Sequence, residues 1–211
     1  MIFKLLSILL RYPDDEILRN RAAISGAVRE LADPPARNAM VAFLAHWENE
    51  PDSHLQASYI EAFDFKRRGC LYLSYYRYGD QRARGQVLAD MKGAYARAGY
   101  PLDTTELPDY LPLVLEFASE VPEEGLPVLA ESRAAVEVIR RSLRHDGSPY
   151  AHLVEALIFF LPGLDEETVA EMQRLIVQGP PQESVGLEPY AADAPPPGGR
   201  LDNVVFEGWK R

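Results

Sequence analysis

The chain has 211 residues and a formal net charge of −10, with 22 Lys and Arg against 32 Asp and Glu. This acidic balance argues against a nucleic-acid binder, and one cysteine with four histidines argues against a disulfide scaffold and a structural zinc site. Ala and Leu total 51 residues, whereas Val, Ile and Thr total 25. Because small and straight-chain residues favour helices and β-branched residues favour strands, the sequence predicts an all-α protein.

The N-terminal segment predicts a helix packed on the core. Residues 1–10 are largely apolar, and Lys4, Ser7 and Arg11 form one narrow polar stripe. No small-residue cleavage site follows this segment, so it does not resemble a signal peptide. No later window approaches the ~20 apolar residues that cross a bilayer. We therefore expect a soluble, cytoplasmic protein without stable membrane insertion.

Apolar residues at helical spacing continue along the chain, and Pro34-Pro35 is expected to break it. The aromatic segment 71–78 is the one place where a strand is plausible, but it contains no Val, Ile or Thr, which favours a helix. About nine helices without β alternation predict a single compact helical bundle over residues 1–178. After the first helix, the predicted helical segments are 14–31, 40–47, 53–65, 71–78, 81–98, 111–118, 126–143, 149–160 and 165–177.

Residues 179–211 are rich in Pro and Gly and are expected to form an extended or disordered tail. The end of this tail carries apolar residues, namely Val204, Val205, Phe206 and Trp209. Two interpretations stay open: a frayed terminus, or a segment that folds back onto an apolar groove of the body or of a neighbouring molecule.

No phosphate-binding or hydrolase motif occurs in the sequence. Cys70 is a candidate nucleophile because Lys66, Arg67 and Arg68 would lower its pKa, but no histidine lies near it in sequence. A lone cysteine among helical residues is more often a small buried hydrophobe. The residues therefore specify no enzyme.

Residues 59–85 combine aromatic and basic side chains. Such interleaving can serve stacking on single-stranded nucleic acid, but the net charge and the neighbouring Glu61, Asp64 and Asp80 argue against that role. The alternative is a pair of core helices whose tyrosines bury their rings and hydrogen-bond their hydroxyls.

Residues 106–117 form the second dense segment. Asp109 and Glu116 are seven residues apart and would share one helical face, while Leu107, Leu111, Val114, Leu115 and Ala118 share another. Pro112 would clash in a helix interior, so the regular helix is expected to start near Pro112 or to kink there. Carboxylates beside an apolar ridge suit capture of a basic amphipathic peptide, although the pattern alone favours a core helix with a solvated acidic back.

These segments resemble the nitrate reductase molybdenum cofactor assembly chaperones, which are NarJ-type delta proteins within the TorD/DmsD-like family of redox-enzyme maturation chaperones. The likeness covers about residues 1–178. It rests on the leucine-rich first helix with Arg11-Tyr12-Pro13 and on residues 59–68, 71–80, 82–85, 106–112 and 115–117.

The resemblance implies an all-helical chaperone without enzymatic activity, resident cofactor or metal. It implies binding to the N-terminal peptide of the respiratory nitrate reductase catalytic subunit, support of molybdenum cofactor insertion before membrane attachment, and transient contact with the cofactor delivery machinery. A chaperone for a dimethyl sulfoxide or trimethylamine oxide reductase is the alternative. Carried onto this sequence, the peptide site comprises Glu106, Asp109, Tyr110, Leu111, Leu115 and Glu116, with Tyr72, Tyr75 and Tyr76 as walls.

Overall fold

A computed structural model of the chain describes residues 1–65, 67–79, 81–102 and 105–179. Within these residues there are twelve α-helices, one short 3₁₀ helix at Arg67–Gly69 and no strand, which confirms the all-α prediction. The helices are α1 Ile2–Leu9, α2 Asp15–Arg19, α3 Arg21–Arg29, α4 Pro34–Asn49, α5 Asp52–Phe63, α6 Leu73–Tyr78, α7 Arg82–Arg97, α8 Leu111–Glu120, α9 Pro122–Glu131, α10 Arg133–His145, α11 Ala151–Ile158 and α12 Glu166–Gln178.

Aspartates cap the start of three helices. The Asp14 carboxylate accepts the backbone N–H groups of Glu16 and Ile17 at α2. At the starts of α4 and α12, Asp33 and Asp165 each accept one backbone N–H group, from Ala36 and Thr168 respectively. Each cap satisfies donors that the first turn of a helix leaves without a partner.

Three predicted boundaries are wrong. Pro34-Pro35 opens α4 instead of breaking the chain, because proline fits the first helical positions, where no intrahelical N–H bond is needed. The segment 14–31 divides at Asn20, whose side chain donates to the Glu16 carbonyl at 2.9 Å and ends α2. The segment 126–143 divides at Ser132, whose hydroxyl donates to the Val128 carbonyl at 2.9 Å. These divisions are part of the reason that the described residues contain more helices than predicted.

The core lies between α1, α4, α8, α10 and α11. α8 packs against α1 on one side and α9 on another, while α4 packs against α11 and α10 against α12. A cluster of buried aromatic rings joins α4, α5 and the start of α11; it consists of Phe43, Trp47, Tyr59, Phe63 and Tyr150. Neighbouring centroids in it lie as close as 4.8 Å, a separation typical of favourable ring pairs.

None of the described helices combines the length and the apolar composition that crossing a bilayer requires. The predicted tail, residues 179–211, lies outside the described residues except for Gly179, so its extended form and its folding back onto the body stay predictions.

The crossing of α8 and α9 depends on Gly125. A Cβ atom at this position would lie 2.4 Å from Cα and 2.6 Å from the backbone nitrogen of Ala118. We expect Gly125→Ala to lower the free energy of unfolding by about 1–3 kcal/mol, because the two helices must move apart. Urea unfolding measures this, with Gly26→Ala in α3 as control because its Cβ would meet nothing within 4 Å. Equal effects of the two substitutions would contradict the close crossing.

Candidate functional site

The two segments that the sequence singled out meet in a short antiparallel bridge between Tyr72 and Tyr110. The Leu73 N–H donates to the Asp109 carbonyl at 2.9 Å, and the Leu111 N–H donates to the Leu71 carbonyl at 2.8 Å. Leu71, Leu73 and Leu111 are buried, so core packing holds both segments in place. The bridge sets the Tyr72 and Tyr110 rings side by side, with centroids 5.3 Å apart.

Asp109 lies beneath this bridge and is fully buried. Its Oδ2 accepts the backbone N–H of Ser74 at 3.0 Å, the Ser74 hydroxyl at 2.5 Å and Nη2 of Arg84 at 3.1 Å. Its Oδ1 is also buried and accepts no hydrogen bond from the described residues. The carboxylate therefore joins the start of α6 to α7 while one of its oxygens keeps its accepting capacity.

Arg84 is the cation opposite this carboxylate. Its Nε donates to the Ser74 hydroxyl oxygen at 3.0 Å. Its guanidinium carbon lies 5.9 Å from the centroid of the Tyr72 ring and 5.7 Å from that of Tyr75. Both distances are within the range in which an aromatic face attracts a cation.

Tyrosine hydroxyls fix the loop that precedes α8. Tyr72 donates to the Glu106 carboxylate at 2.7 Å, and Tyr95 donates to the Pro108 carbonyl at 2.8 Å. The hydroxyls of Tyr59 and Tyr110 share a hydrogen bond of 2.9 Å. Burial raises the pKa of Tyr59, Tyr72 and Tyr110 above the usual tyrosine range, so these hydroxyls stay protonated and able to donate at neutral pH.

A cavity of about 150 Å³ lies next to the Asp109 carboxylate, between α6, α7, α9, α10 and α12. Its polar lining includes Ser74 and Asp109, while Glu131, Arg77 and Glu171 supply further charges. Its apolar lining includes Tyr76, Val87, Met91, Val128 and Leu175. The cavity has the size of one side chain and combines apolar walls with a buried carboxylate.

The apolar ridge of α8 faces the core, which is the alternative that the pattern alone favoured, and is not exposed for a peptide. Leu111 and Leu115 are fully buried, because α8 lies between α1 and α9 and turns its apolar residues to the core. Asp109 and Glu116 do not share a helical face, because α8 begins at Leu111, as the position of Pro112 predicted. Glu116 instead pairs with Lys4 of α1 and lines a separate cavity between α8 and α1–α3.

The predicted site residues thus divide by exposure. Tyr72, Tyr75, Glu106 and Tyr110 are half-buried around the bridge. Tyr76 is buried, and its hydroxyl donates toward the backbone carbonyls of Arg68 and Cys70. Asp109, Leu111 and Leu115 are buried like Tyr76. Glu116 is half-buried and lines a different cavity. The assignment of these residues to a client site stays a prediction.

Sequence reasoning missed Ser74, Arg84 and Tyr95 as parts of this arrangement. Arg84 lies in the basic stretch 82–85 that carried part of the resemblance, but no spacing rule links it to Asp109, 25 residues along the chain. Tyr95 lies within the predicted helical segment 81–98, and its position in that segment does not indicate a partner. Its bond to the Pro108 carbonyl depends on how α7 folds back beside the loop before α8.

Lys66 and the side chain of Arg67 lie outside the described residues, so their effect on Cys70 stays a prediction. The Cys70 side chain is half-buried, and burial raises the pKa of its thiol, which disfavours the nucleophilic thiolate. Among the described residues, no group of three or more His, Cys, Asp or Glu is placed to hold a metal ion.

Residues 29–155 match the family described as nitrate reductase delta subunit. The probable nitrate reductase molybdenum cofactor assembly chaperone NarJ of Bacillus subtilis (strain 168) is 31% identical over 163 residues, which are 77% of this chain and 89% of that protein. The nitrate reductase molybdenum cofactor assembly chaperone NarJ of Escherichia coli (strain K12) is 30% identical over 171 residues, which are 79% of this chain and 72% of that protein.

The nitrate reductase-like protein NarX of Mycobacterium tuberculosis (strain ATCC 25618 / H37Rv) is 30% identical over 161 residues, which are 74% of this chain but 24% of that longer protein. The matched region 29–155 contains both segments that meet at the Tyr72–Tyr110 bridge. The chain therefore belongs to the nitrate reductase delta subunit family, as the resemblance of its segments predicted.

Proposed function

We propose that this chain is an assembly chaperone for a respiratory nitrate reductase and keeps the catalytic subunit ready for molybdenum cofactor insertion. The observation that carries the proposal is the similarity, over about three quarters of the chain, to relatives named as nitrate reductase molybdenum cofactor assembly chaperones. On this proposal the chaperone acts in the cytoplasm before the enzyme attaches to the membrane, contacts the cofactor delivery machinery transiently and keeps no cofactor itself.

The client segment that we propose is the N-terminal peptide of the catalytic subunit. Half-buried Tyr72, Tyr75 and Tyr110, together with Glu106, offer ring surface and a carboxylate close together. Burial of ring surface contributes about 25 cal/mol per Å², whereas an exposed ion pair contributes about 0–1 kcal/mol. Apolar contact would therefore supply most of the affinity, and the net charge of −10 would favour basic clients.

In this proposal the remaining predicted residues do not contact the peptide but hold the helices around the aromatic surface in place. Asp109 fixes the start of α6 through Ser74, and Leu111 and Leu115 anchor α8 in the core. Glu116 ties α8 to α1 through Lys4. These residues keep the aromatic surface in one arrangement, so that little side-chain entropy is lost when a peptide binds.

Calorimetry with the N-terminal peptide of the catalytic subunit encoded in the same genome tests the site. We expect Tyr75→Ala to weaken binding at least tenfold, because truncation of an aromatic residue at the centre of an interface typically costs about 2 kcal/mol or more. Phe159→Ala is the control, since Phe159 is an aromatic residue of α11's C-terminal end with 57% exposure. Equal affinities of the wild type and Tyr75→Ala would contradict this position of the site.

The identity of the client is tested separately by affinity capture from native extract with the tagged full chain. We expect the nitrate reductase catalytic subunit to be retained. Retention of a dimethyl sulfoxide or trimethylamine oxide reductase in its place would contradict the nitrate reductase assignment and support the alternative chaperone.

A further inference from the structure

Arg84 lies in surroundings that suit a guanidinium group of any origin. Two tyrosine rings, Tyr72 and Tyr75, lie within 6 Å of its guanidinium carbon. Ser74 and Asp109 accept hydrogen bonds from its Nε and Nη2. Planar guanidinium groups stack on aromatic faces and donate to carboxylates in a fixed fork, which a compact ammonium cannot reproduce.

The helix that supplies Arg84 is weakly held. Of the sixteen residues of α7, only Tyr95 is buried. Gly85 follows Arg84 directly, and a Cβ atom there would meet nothing within 4 Å, so packing does not require a glycine. A glycine inside a helix makes the first turns of α7 less stable than an alanine would. The start of α7 can therefore release Arg84 at a lower cost than a buried helix could.

The Asp109 carboxylate can accept a further hydrogen bond that Arg84 does not donate. Arg84 donates to Oδ2 alone, while Oδ1 is buried and accepts no hydrogen bond from the described residues. Asp109 is also one of the residues that line the cavity. A guanidinium that enters from a different direction can donate to both carboxylate oxygens, which is the stronger, bidentate arrangement. A competing arginine would thus gain a hydrogen bond that Arg84 lacks.

We propose that Tyr72, Ser74, Tyr75 and Asp109 form a guanidinium-binding site that Arg84 of the same chain fills in the free protein, and that an arginine side chain of the client displaces it. That the arginine belongs to the client rests on the proposed function, whereas the site itself does not. Displacement frees the first turn of α7, so occupancy of the site by a client is coupled to the position of this helix.

Chemical rescue tests the site without any client. Arg84→Ala should melt at a lower temperature than the wild type, and methylguanidinium well above its Kd should raise that temperature by about 2–4 °C. Methylammonium at the same concentration should have little effect, since it lacks the fork and the planar face. Wild type, in which Arg84 competes for the site, should respond less to methylguanidinium than Arg84→Ala does. The double variant Arg84→Ala/Asp109→Asn should not respond.

Arg84→Lys keeps a cation near Asp109 and provides the same test if Arg84→Ala does not fold. A lysine competes poorly for a guanidinium site, so methylguanidinium should raise its melting temperature as well. A response to methylguanidinium that is equal in the wild type and in these variants would overturn the proposal.

The client peptide then tests the displacement. Arg84→Ala should bind the N-terminal peptide about tenfold more tightly than the wild type, because no internal arginine has to leave. Replacement of the peptide's arginines by citrulline should remove that gain. Gly85→Ala, which stabilises the start of α7, should weaken binding about fivefold. Weaker binding by Arg84→Ala would overturn the displacement.

The two proposals fail in different ways. Rescue by methylguanidinium without binding of the peptide to any variant would leave the guanidinium site in place and contradict the proposed client. Binding of the peptide to the wild type without rescue of Arg84→Ala would leave the proposed function in place and contradict the site.

Discussion

Replacement of Glu137 by alanine is expected to lower the free energy of unfolding by about 3–5 kcal/mol, because it leaves a group of arginines without their shared carboxylate. The side chain of Glu137 is 4% exposed. It accepts from Arg140 at 2.7 and 3.0 Å, from Arg141 at 2.9 Å and from Arg133 at 3.4 Å. Without it, the guanidinium groups of Arg133, Arg140 and Arg141 lose the negative charge that they share.

The same carboxylate predicts a dependence of stability on pH. Burial alone would raise the pKa of Glu137, but hydrogen bonds from Arg140 and Arg141 and the charges of Arg140 and Arg133 outweigh it and hold the pKa at about 2. The unfolded chain binds this proton near the ordinary value of 4.5. The stabilisation is therefore complete above about pH 4.5 and is lost as the pH falls through about 2; it amounts to about 3 kcal/mol.

Urea unfolding of wild type and Glu137→Gln at a series of pH values measures this contribution. Glutamine keeps the size of the side chain but not its charge, so the difference between the two proteins isolates the ionised carboxylate from all other titrating groups. We expect the difference to be largest near neutral pH and to shrink steadily below pH 4.5. A difference that is the same at pH 7 and pH 2 would contradict the depressed pKa.

Much of the fold could be predicted because its signals are local. The excess of Ala and Leu indicated the class, and Asp14 and Asp165 stand where the structure has their caps. The breaks at Asn20 and Ser132 were missed because the apolar period runs across them without interruption. In both places a side chain donates to the carbonyl four residues earlier, a bond that polar residues also make within continuous helices.

The site was predicted less completely, for two physical reasons. An apolar stripe has the same spacing whether it faces the core or a partner, so the sequence could not show that Leu111 and Leu115 are buried. A carboxylate in an acidic chain reads as a solvated group, so the sequence could not show that Asp109 is enclosed by Ser74 and Arg84. Contacts between segments that are distant in sequence determine the burial of these leucines and of Asp109. The pattern of residues within one segment does not predict such contacts.

The hydrogen bonds of Asp109 indicate how the two segments depend on each other. The Asp109 carboxylate accepts hydrogen bonds from Ser74 at the start of α6 and from Arg84 of α7. The backbone carbonyl of Asp109 accepts the Leu73 N–H in the bridge. One residue before α8 therefore organises both helices that follow the bridge. A change in the charge of Asp109 therefore alters the surroundings of Tyr72 and Tyr75 through Ser74 and Arg84, although these two tyrosines are themselves unchanged.

Asp109→Ala is accordingly expected to destabilise the protein by about 3–5 kcal/mol, since Arg84 and the Ser74 hydroxyl lose their shared acceptor in a buried place. Asp109→Asn should cost less, because its carbonyl oxygen can still accept from Ser74 while only the charge opposite Arg84 is lost. Urea unfolding measures both variants, and amide hydrogen exchange at α6 and α7 reports where the structure loosens.

The order of the two Asp109 variants separates a structural from a merely electrostatic role. If Asp109→Asn were as unstable as Asp109→Ala, the ion pair with Arg84 would supply the stabilisation and the bonds to Ser74 would add little. If Asp109→Ala stayed within about 0.5 kcal/mol of the wild type, as an ordinary surface substitution does, the buried position of this carboxylate would be contradicted. The expected order, with the asparagine variant between the other two proteins, follows from the two kinds of bond that meet at Oδ2.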